Sequence, residues 1–137
     1  MTPVEVEFAA PVDLVFGYLT DPVRRPEWQG SLRRIEDLKG SGEVGTTWRD
    51  VTAVGARPRM EVTELDNASA WAEVGRWRGI EASLRLGFAE VPNGTRVTAA
   101  VKVTTAVPQR PVGWVLRRLA PYAVRGDLRR AARALGS

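Results

Sequence analysis

The chain contains no histidine and no cysteine. This removes the usual general base near neutral pH, the commonest metal ligand, every Ser-His-Asp triad, thiolate nucleophiles and disulfides. Proton transfer is left to Asp, Glu, Tyr, Lys or bound water. Glu73 is the sharpest candidate, because it alternates with Trp71 in a strand-like stretch. If both side chains face inward, the carboxylate is desolvated beside an indole and can serve as acid or base. The alternatives are a surface carboxylate on the outer face, or one paired with Arg49 or Arg76. Tyr18 and Tyr122 are the only phenols. Both fall on helical patterns and pack there, although Tyr122, just after Pro121, is also placed to reach inward. No Asp/Glu cluster stands out, so neither a metal nor another cofactor is expected.

The tryptophans are the second chemical feature. Trp28, Trp48, Trp71, Trp77 and Trp114 are five in 137 residues. They suffice to line a pocket for a flat or bulky apolar ligand, with indole N–H groups as orienting donors. The competing role for Trp28 is to plug a helix–sheet junction, and for Trp114 to pack a C-terminal helix.

These side chains must be positioned by the elements that the hydrophobic periods predict. Val4-Glu5-Val6-Glu7-Phe8 alternates as a half-buried strand. Val12, Val15, Phe16 and Leu19 fall at helical spacing after Pro11, with Asp13 in the first turn. Residues 21–25, between that helix and Pro26, form one short turn of helix. After Trp28 the period becomes two, giving candidate strands at 31–38, 46–54, 58–65, 70–77, 80–90 and 95–104. Turn-rich breaks of hairpin length separate them, Asn93-Gly94 being the clearest. From Val112 to Leu135 the apolar residues recur every three or four positions. This predicts a long amphipathic helix, kinked or interrupted near Arg117 by Pro121.

The order of elements predicts an α+β fold, with seven antiparallel strands and one long helix to cover their apolar face. A single helix cannot fill a wide concave sheet, so a gap is expected between them. At 137 residues and 44% hydrophobic, the chain is one domain's worth, spanning 1–137, and buries roughly two-thirds of its unfolded surface.

Charge is uneven. The net charge is +4, yet residues 110–137 hold seven arginines against Asp127 alone. That helix is either a plain solvated face or a docking surface for a partner protein or an acidic surface; no nucleic-acid partner is expected. No segment reaches the ~18 apolar residues of a membrane span, and the N-terminus lacks a signal peptide's basic start. The expectation is a soluble cytoplasmic protein of unknown oligomeric state.

Parity assigns the faces. Ile80, Ala82, Leu84, Leu86 and Phe88 face inward on one strand, and Thr95, Val97, Ala99, Val101 and Val103 on the next. A four-residue loop at 66–69 would set Val62 opposite Glu73 and Glu64 opposite Trp71, turning Trp71 and Glu73 inward with Met60 and Val62. A three-residue loop would turn Trp71 outward. The faces of Trp48 and Arg49 are not fixed by pattern.

Several segments in this order resemble the START-like, or SRPBCC, superfamily. They are Pro11-Val12-Asp13-Leu14-Val15-Phe16, Pro26-Glu27-Trp28, Val44-Gly45-Thr46, Val62-Thr63-Glu64-Leu65-Asp66 and Gly94-Thr95-Arg96-Val97-Thr98. The likeness spans essentially the whole chain and is nearest the polyketide cyclase/dehydrase-like branch. It implies a helix-grip fold: a seven-stranded curved sheet around a long C-terminal helix, two short helices between strands 1 and 2, and a hydrophobic cavity. Members include lipid carriers, aromatic polyketide cyclases and chaperone activators. Family cyclases tend to be longer, with several polar cavity groups that often include histidine, which this chain lacks.

The expected activity is therefore binding of a small hydrophobic, lipid- or polyketide-like molecule. The alternative is a polyketide cyclase or dehydratase using the same cavity with a carboxylate, Tyr or water as acid/base. The residues expected to line the site are Trp48, Met60, Val62, Trp71, Glu73, Leu84, Leu86, Phe88, Val101 and Leu116, with Glu73 the one catalytic candidate.

Overall fold

Alternation of apolar and polar residues sends one set of side chains to each face of a strand, and in this chain the apolar sets converge. The computed structural model describes residues 3–105 and 111–136, with side chains described outside 111–119. Its strands are β1 (Val4–Phe8), β2 (Leu32–Lys39), β3 (Thr47–Thr52), β4 (Arg59–Asp66), β5 (Ala70–Trp77), β6 (Ile80–Val91) and β7 (Gly94–Thr105). Helix α1 (Val12–Leu19) and a 3₁₀ helix (Pro22–Glu27) lie between β1 and β2, and α2 (Pro111–Ala134) follows β7. The sheet order is β1-β7-β6-β5-β4-β3-β2, a meander of antiparallel neighbours closed at one edge by the N-terminal strand. The seven strands and the long C-terminal helix are those the sequence predicts, with bounds shifted by one or two residues. The second short helix is a 3₁₀ helix, begun by Asp21, whose carboxylate accepts from Val23 N–H at 3.0 Å.

Inward rungs run across the sheet, and their sizes decide where the core is solid. Val6, Val97 and Phe88 stand opposite one another, as do Val4, Ala99, Leu86 and Trp71. Phe16 of α1 meets Phe88 edge to face, with centroids 5.0 Å apart. Leu128, Ala131 and Ala132 of α2 complete this buried cluster, and α2 lies against β1 and β7. The next rungs are Glu73, Leu84, Val101 and then Gly75, Ala82, Val103. The first of these rungs carries a charge and the second falls to Gly75 and Ala82, and the filled core thins there.

The β4–β5 connection corrects one expectation. Asp66 pairs with Ala70 across a three-residue loop, so Leu65, not Glu64, stands opposite Trp71. That loop alone would turn Trp71 outward. A bulge between Val62 and Glu64 adds one residue to β4 and restores the parity, so Val62 faces Glu73. Trp71 and Glu73 therefore both point inward and are buried. At the β6–β7 turn the two loop residues are Pro92-Asn93, and Gly94 opens β7 opposite Val91. Helix α2 continues through Pro121 without the interruption given as one outcome. Arg117 and Trp114 lie among residues whose side chains are outside the description. Tyr122 is 71% exposed and does not reach inward.

Gly94 is required where it stands. Its φ is +151°, and a methyl group there would collide with the carbonyl oxygen of Phe8, where β1 meets β7. Thr95, next to it, donates its hydroxyl to Ala10 O at 2.8 Å, tying the same corner. By contrast, nothing lies within 4 Å of a methyl at Gly126 in α2. Gly94→Ala is expected to cost at least about 2 kcal/mol of unfolding free energy, and Gly126→Ala to add up to about 1 kcal/mol. Urea titrations of the two variants check both signs.

Candidate ligand-binding site

Where the rungs turn small, a hollow opens between the sheet and α2. Its larger lobe is ≈ 430 Å³. Met60, Gly75, Trp77, Ile80, Ala82, Leu84, Val101 and Val124 form apolar walls, and Val54, Ala56 and Pro58 of the β3–β4 connection form a rim. A second lobe of ≈ 320 Å³ shares Gln29, Glu73, Ala82, Leu84, Val101 and Val124 with the first. It adds Arg25, Trp28, Ser31 and Asp127. Leu84 and Val101 face inward yet remain only half-buried, because each lines the hollow. At Gly75 the missing side chain makes room for Met60, whose Sδ would lie 2.7 Å from an added methyl.

One end of the hollow is polar. The 3₁₀ helix aims Arg25 at the middle of the sheet, where the residue is 2% exposed. It forms a two-point ion pair with Glu73: Nη1 donates to Oε2 at 3.2 Å and Nη2 donates to Oε1. Nη1 also donates to Gln29 Oε1 at 3.0 Å. The guanidinium carbon lies 5.0 Å from the Trp28 ring centre and 5.4 Å from that of Trp71, so indoles hold it by cation–π attraction. The expected partners Arg49 and Arg76 go elsewhere. Arg49 donates to Arg57 O at 2.7 Å, and Arg76 pairs with Glu81 at 2.8 Å and reaches Glu61 at 4.0 Å.

Asp50 completes this end. Trp48 and Asp50 alternate on β3 and both turn inward, with Arg49 on the other face; Trp48 Nε1 donates to Asp50 Oδ1 at 2.9 Å. Burial raises the Asp50 pKa and the nearby Glu73 charge raises it further, against the opposing pull of Arg25 and the Trp48 N–H, to about 6. For Arg25, burial favours loss of the charge. The Glu73 carboxylate outweighs it, with help from Asp50 and Asp127, and holds the guanidinium above its ordinary value. Asp127, on α2, is also raised by burial, although the Gly30 N–H and Arg130 oppose this. Asp127 Oδ1 accepts from Gly30 N–H at 3.1 Å and Arg130 donates to Trp28 O at 3.0 Å, latching α2 to the segment that carries Arg25. Among the described residues, no group of three or more carboxylates is arranged to hold a metal ion.

Of the residues expected at the site, Met60, Glu73, Leu84 and Val101 line the hollow. Trp48, Val62, Trp71, Leu86 and Phe88 are inward but lie in the filled core. Leu116 belongs to the part of α2 whose side chains are not described. Sequence reasoning missed Arg25, Asp50 and Gln29. Asp50 had a usable signal, since a residue two after an inward Trp48 shares its face. Arg25 had only its place three residues before Trp28. Trp28 plugs the junction beneath the 3₁₀ helix, and Tyr18 packs on α1, donating its hydroxyl to Glu27 at 3.1 Å. On α2, Arg125, Arg129 and Arg133 are exposed. No helix among the described residues is long and apolar enough to cross a membrane.

The Asp50 shift makes stability depend on pH in a stated direction. Its folded pKa of about 6 lies above the ordinary 3.8, so the folded state holds that proton more tightly. The stabilisation is complete below the unfolded value and is lost as pH rises from about 4 through about 6. Asp50→Asn keeps an acceptor for Trp48 and removes the charge. It is expected to stabilise the protein at pH 8, by up to about 3 kcal/mol, and to have a much smaller effect at pH 4.5. Urea unfolding of both proteins at the two pH values checks this.

The fold and the hollow can now be set beside known proteins. A model of the family described as polyketide cyclase / dehydrase and lipid transport matches residues 2–137. No curated protein sequence matches the chain. Among solved structures, protein MLL2253 from Mesorhizobium loti superposes with a TM-score of 0.78 at 15% identity, covering 98% of this chain and 95% of that one. Ara h 8.0201 gives 0.74 at 14%, covering 98% and 95%. The di-domain ARO/CYC StfQ from the steffimycin biosynthetic pathway gives 0.75 at 17%; the alignment covers 98% of this chain but 49% of that one. At these identities the likeness is one of fold, the Bet v 1-like helix grip. The family match over nearly the full length goes further: the chain belongs to the polyketide cyclase/dehydrase and lipid transport family.

Proposed function

We propose that the protein binds a small hydrophobic, lipid- or polyketide-like molecule in the hollow between the sheet and α2. The observation that carries this reading is the row of inward apolar side chains, Ala82, Leu84, Val101 and Val124, that line ≈ 430 Å³ of open space. That volume lies within the range of sites for small organic ligands. Affinity comes from burying apolar ligand surface, at about 25 cal/mol per Å². The polar end, with Gln29, Asp50 and Glu73, sets the ligand's orientation.

A second reading, catalysis as a cyclase or dehydratase, is favoured by one specific observation. Asp50 lines the hollow with a pKa of about 6, near the value that suits a group exchanging protons at neutral pH. In that reading Asp50, rather than the ion-paired Glu73, is the acid/base, and the apolar walls fold a reactive chain into register. The fold neighbour StfQ is an ARO/CYC, which is in keeping with this reading.

Binding is tested with Nile red, a neutral apolar dye, followed by its own emission and by tryptophan fluorescence. The wild-type protein is expected to bind about one equivalent. Ala82→Trp, which fills the hollow from β6, is expected to weaken binding by at least about ten-fold with an unchanged fold by circular dichroism. Failure of the dye and of a panel of lipids and aromatic polyketides to bind, or equal affinity in the filled variant, contradicts the proposal.

A further inference from the structure

A buried arginine at the end of an apolar hollow suggests a seat for a carboxylate or phosphate head group. The geometry says otherwise. Both terminal nitrogens of Arg25 are committed, to Glu73 and to Gln29. Its guanidinium carbon lies over both the Trp28 and the Trp71 ring. Its Nε is enclosed and has no partner. Arg25 thus has nothing left to offer an anion.

Where Asp50 lines the larger lobe, an acceptor and a donor are open to a ligand. Asp50 lines the hollow and is 3% exposed. Among the described residues, Trp48 Nε1 is its one donor, acting on Oδ1, so Oδ2 is left to accept. Gln29 also lines the hollow. Its Oε1 is used by Arg25, so its NH₂ is left to donate. Among the described residues, the charges around them are Arg25, Glu73 and Asp50, with Asp127 on α2 near Arg25 and Arg130 beside Asp127. With Arg25 answering Glu73 and Arg130 answering Asp127, the net charge left among these groups is that of Asp50.

We infer that the hollow selects an apolar ligand whose buried end is a hydroxyl, donating to Asp50 and accepting from Gln29, and that it rejects a carboxylate-ended ligand of the same shape. A hydroxyl is both donor and acceptor and so satisfies both open groups. An ether satisfies Gln29 only and leaves Asp50 unpaired, and an unpaired buried polar group is costly. A carboxylate meets the Asp50 charge in a medium that screens it poorly. The inference rests on the hollow being a ligand site, and it names the class of ligand.

Three probes with one eight-carbon tail separate these cases: octanol, 1-methoxyoctane and octanoate, each competed against Nile red at pH 7.5. Octanol is expected to bind at least about five-fold more tightly than the ether and at least about ten-fold more tightly than octanoate, the latter equal to ~1.4 kcal/mol. In Asp50→Asn both gaps are expected to shrink below about three-fold, because the amide can donate to either rival and carries no charge. Octanoate binding as well as octanol to the wild type, or gaps that persist unchanged in Asp50→Asn, overturns the inference while leaving the hollow a binding site. If Nile red and all three probes fail to bind, the binding proposal falls as well.

Discussion

A guanidinium and a carboxylate held together out of water, Arg25 on the 3₁₀ helix and Glu73 at the middle of β5, constrain everything around them. Removing both charges from water is expensive, and the attraction repays it only with good geometry and further hydrogen bonds. Here Gln29 supplies one of those bonds, and the guanidinium lies over the Trp28 and Trp71 rings. The pair ties the helical segment after α1 to the sheet 48 residues later in sequence. It also occupies the rung at which the filled core gives way to open space. The 3₁₀ helix, the Trp28 plug and the latch from Asp127 and Arg130 all hold Arg25 to that position.

The same pair sets the chemistry of the hollow. Glu73 adds to the effect of burial on Asp50, which becomes a carboxyl that titrates near neutrality. The apolar walls come from a different cause, the fall in side-chain size from the rung of Trp71, Leu86 and Ala99 to that of Gly75, Ala82 and Val103. Two independent features of the sequence thus shape one hollow: small residues that leave room, and an ion pair that takes up Arg25 and Glu73 while Asp50 and Gln29 line the wall. A cavity built this way suits a mostly apolar molecule with one polar end.

Much of the frame was legible because period and parity are local. The inward sets of β6 and β7 follow from alternation alone, and they pair as Leu84 with Val101 and Phe88 with Val97. Trp71 shows how locality can mislead. The loop is one residue shorter than expected, and a bulge in β4 cancels the error. Nothing in the hydrophobic pattern signals a bulge at Thr63, since an exposed threonine fits either register. Arg25 was illegible for a deeper reason. It sits in a short turn rich in arginine and proline, whose composition reads as surface, and its burial depends on Glu73, far along the chain. The sequence suggested Glu73 as the isolated carboxyl. In the fold it is paired with Arg25, and Asp50 is the buried carboxyl on the hollow without an ion-pair partner among the described residues.

The most direct test of this account is a double-mutant cycle on the pair, with Arg25→Met and Glu73→Leu made singly and together and unfolding free energies measured at pH 7.5. Arg25→Met leaves Glu73 and Asp50 buried together without a cation and is expected to cost about 3–5 kcal/mol. Glu73→Leu is expected to cost less, because Asp50 remains to answer Arg25. The double variant is expected to be more stable than Arg25→Met alone, with a coupling of at least about 2 kcal/mol. Single effects that simply add, to within about 0.5 kcal/mol, would show that the two charges do not depend on one another and that the polar end of the hollow is built on something else.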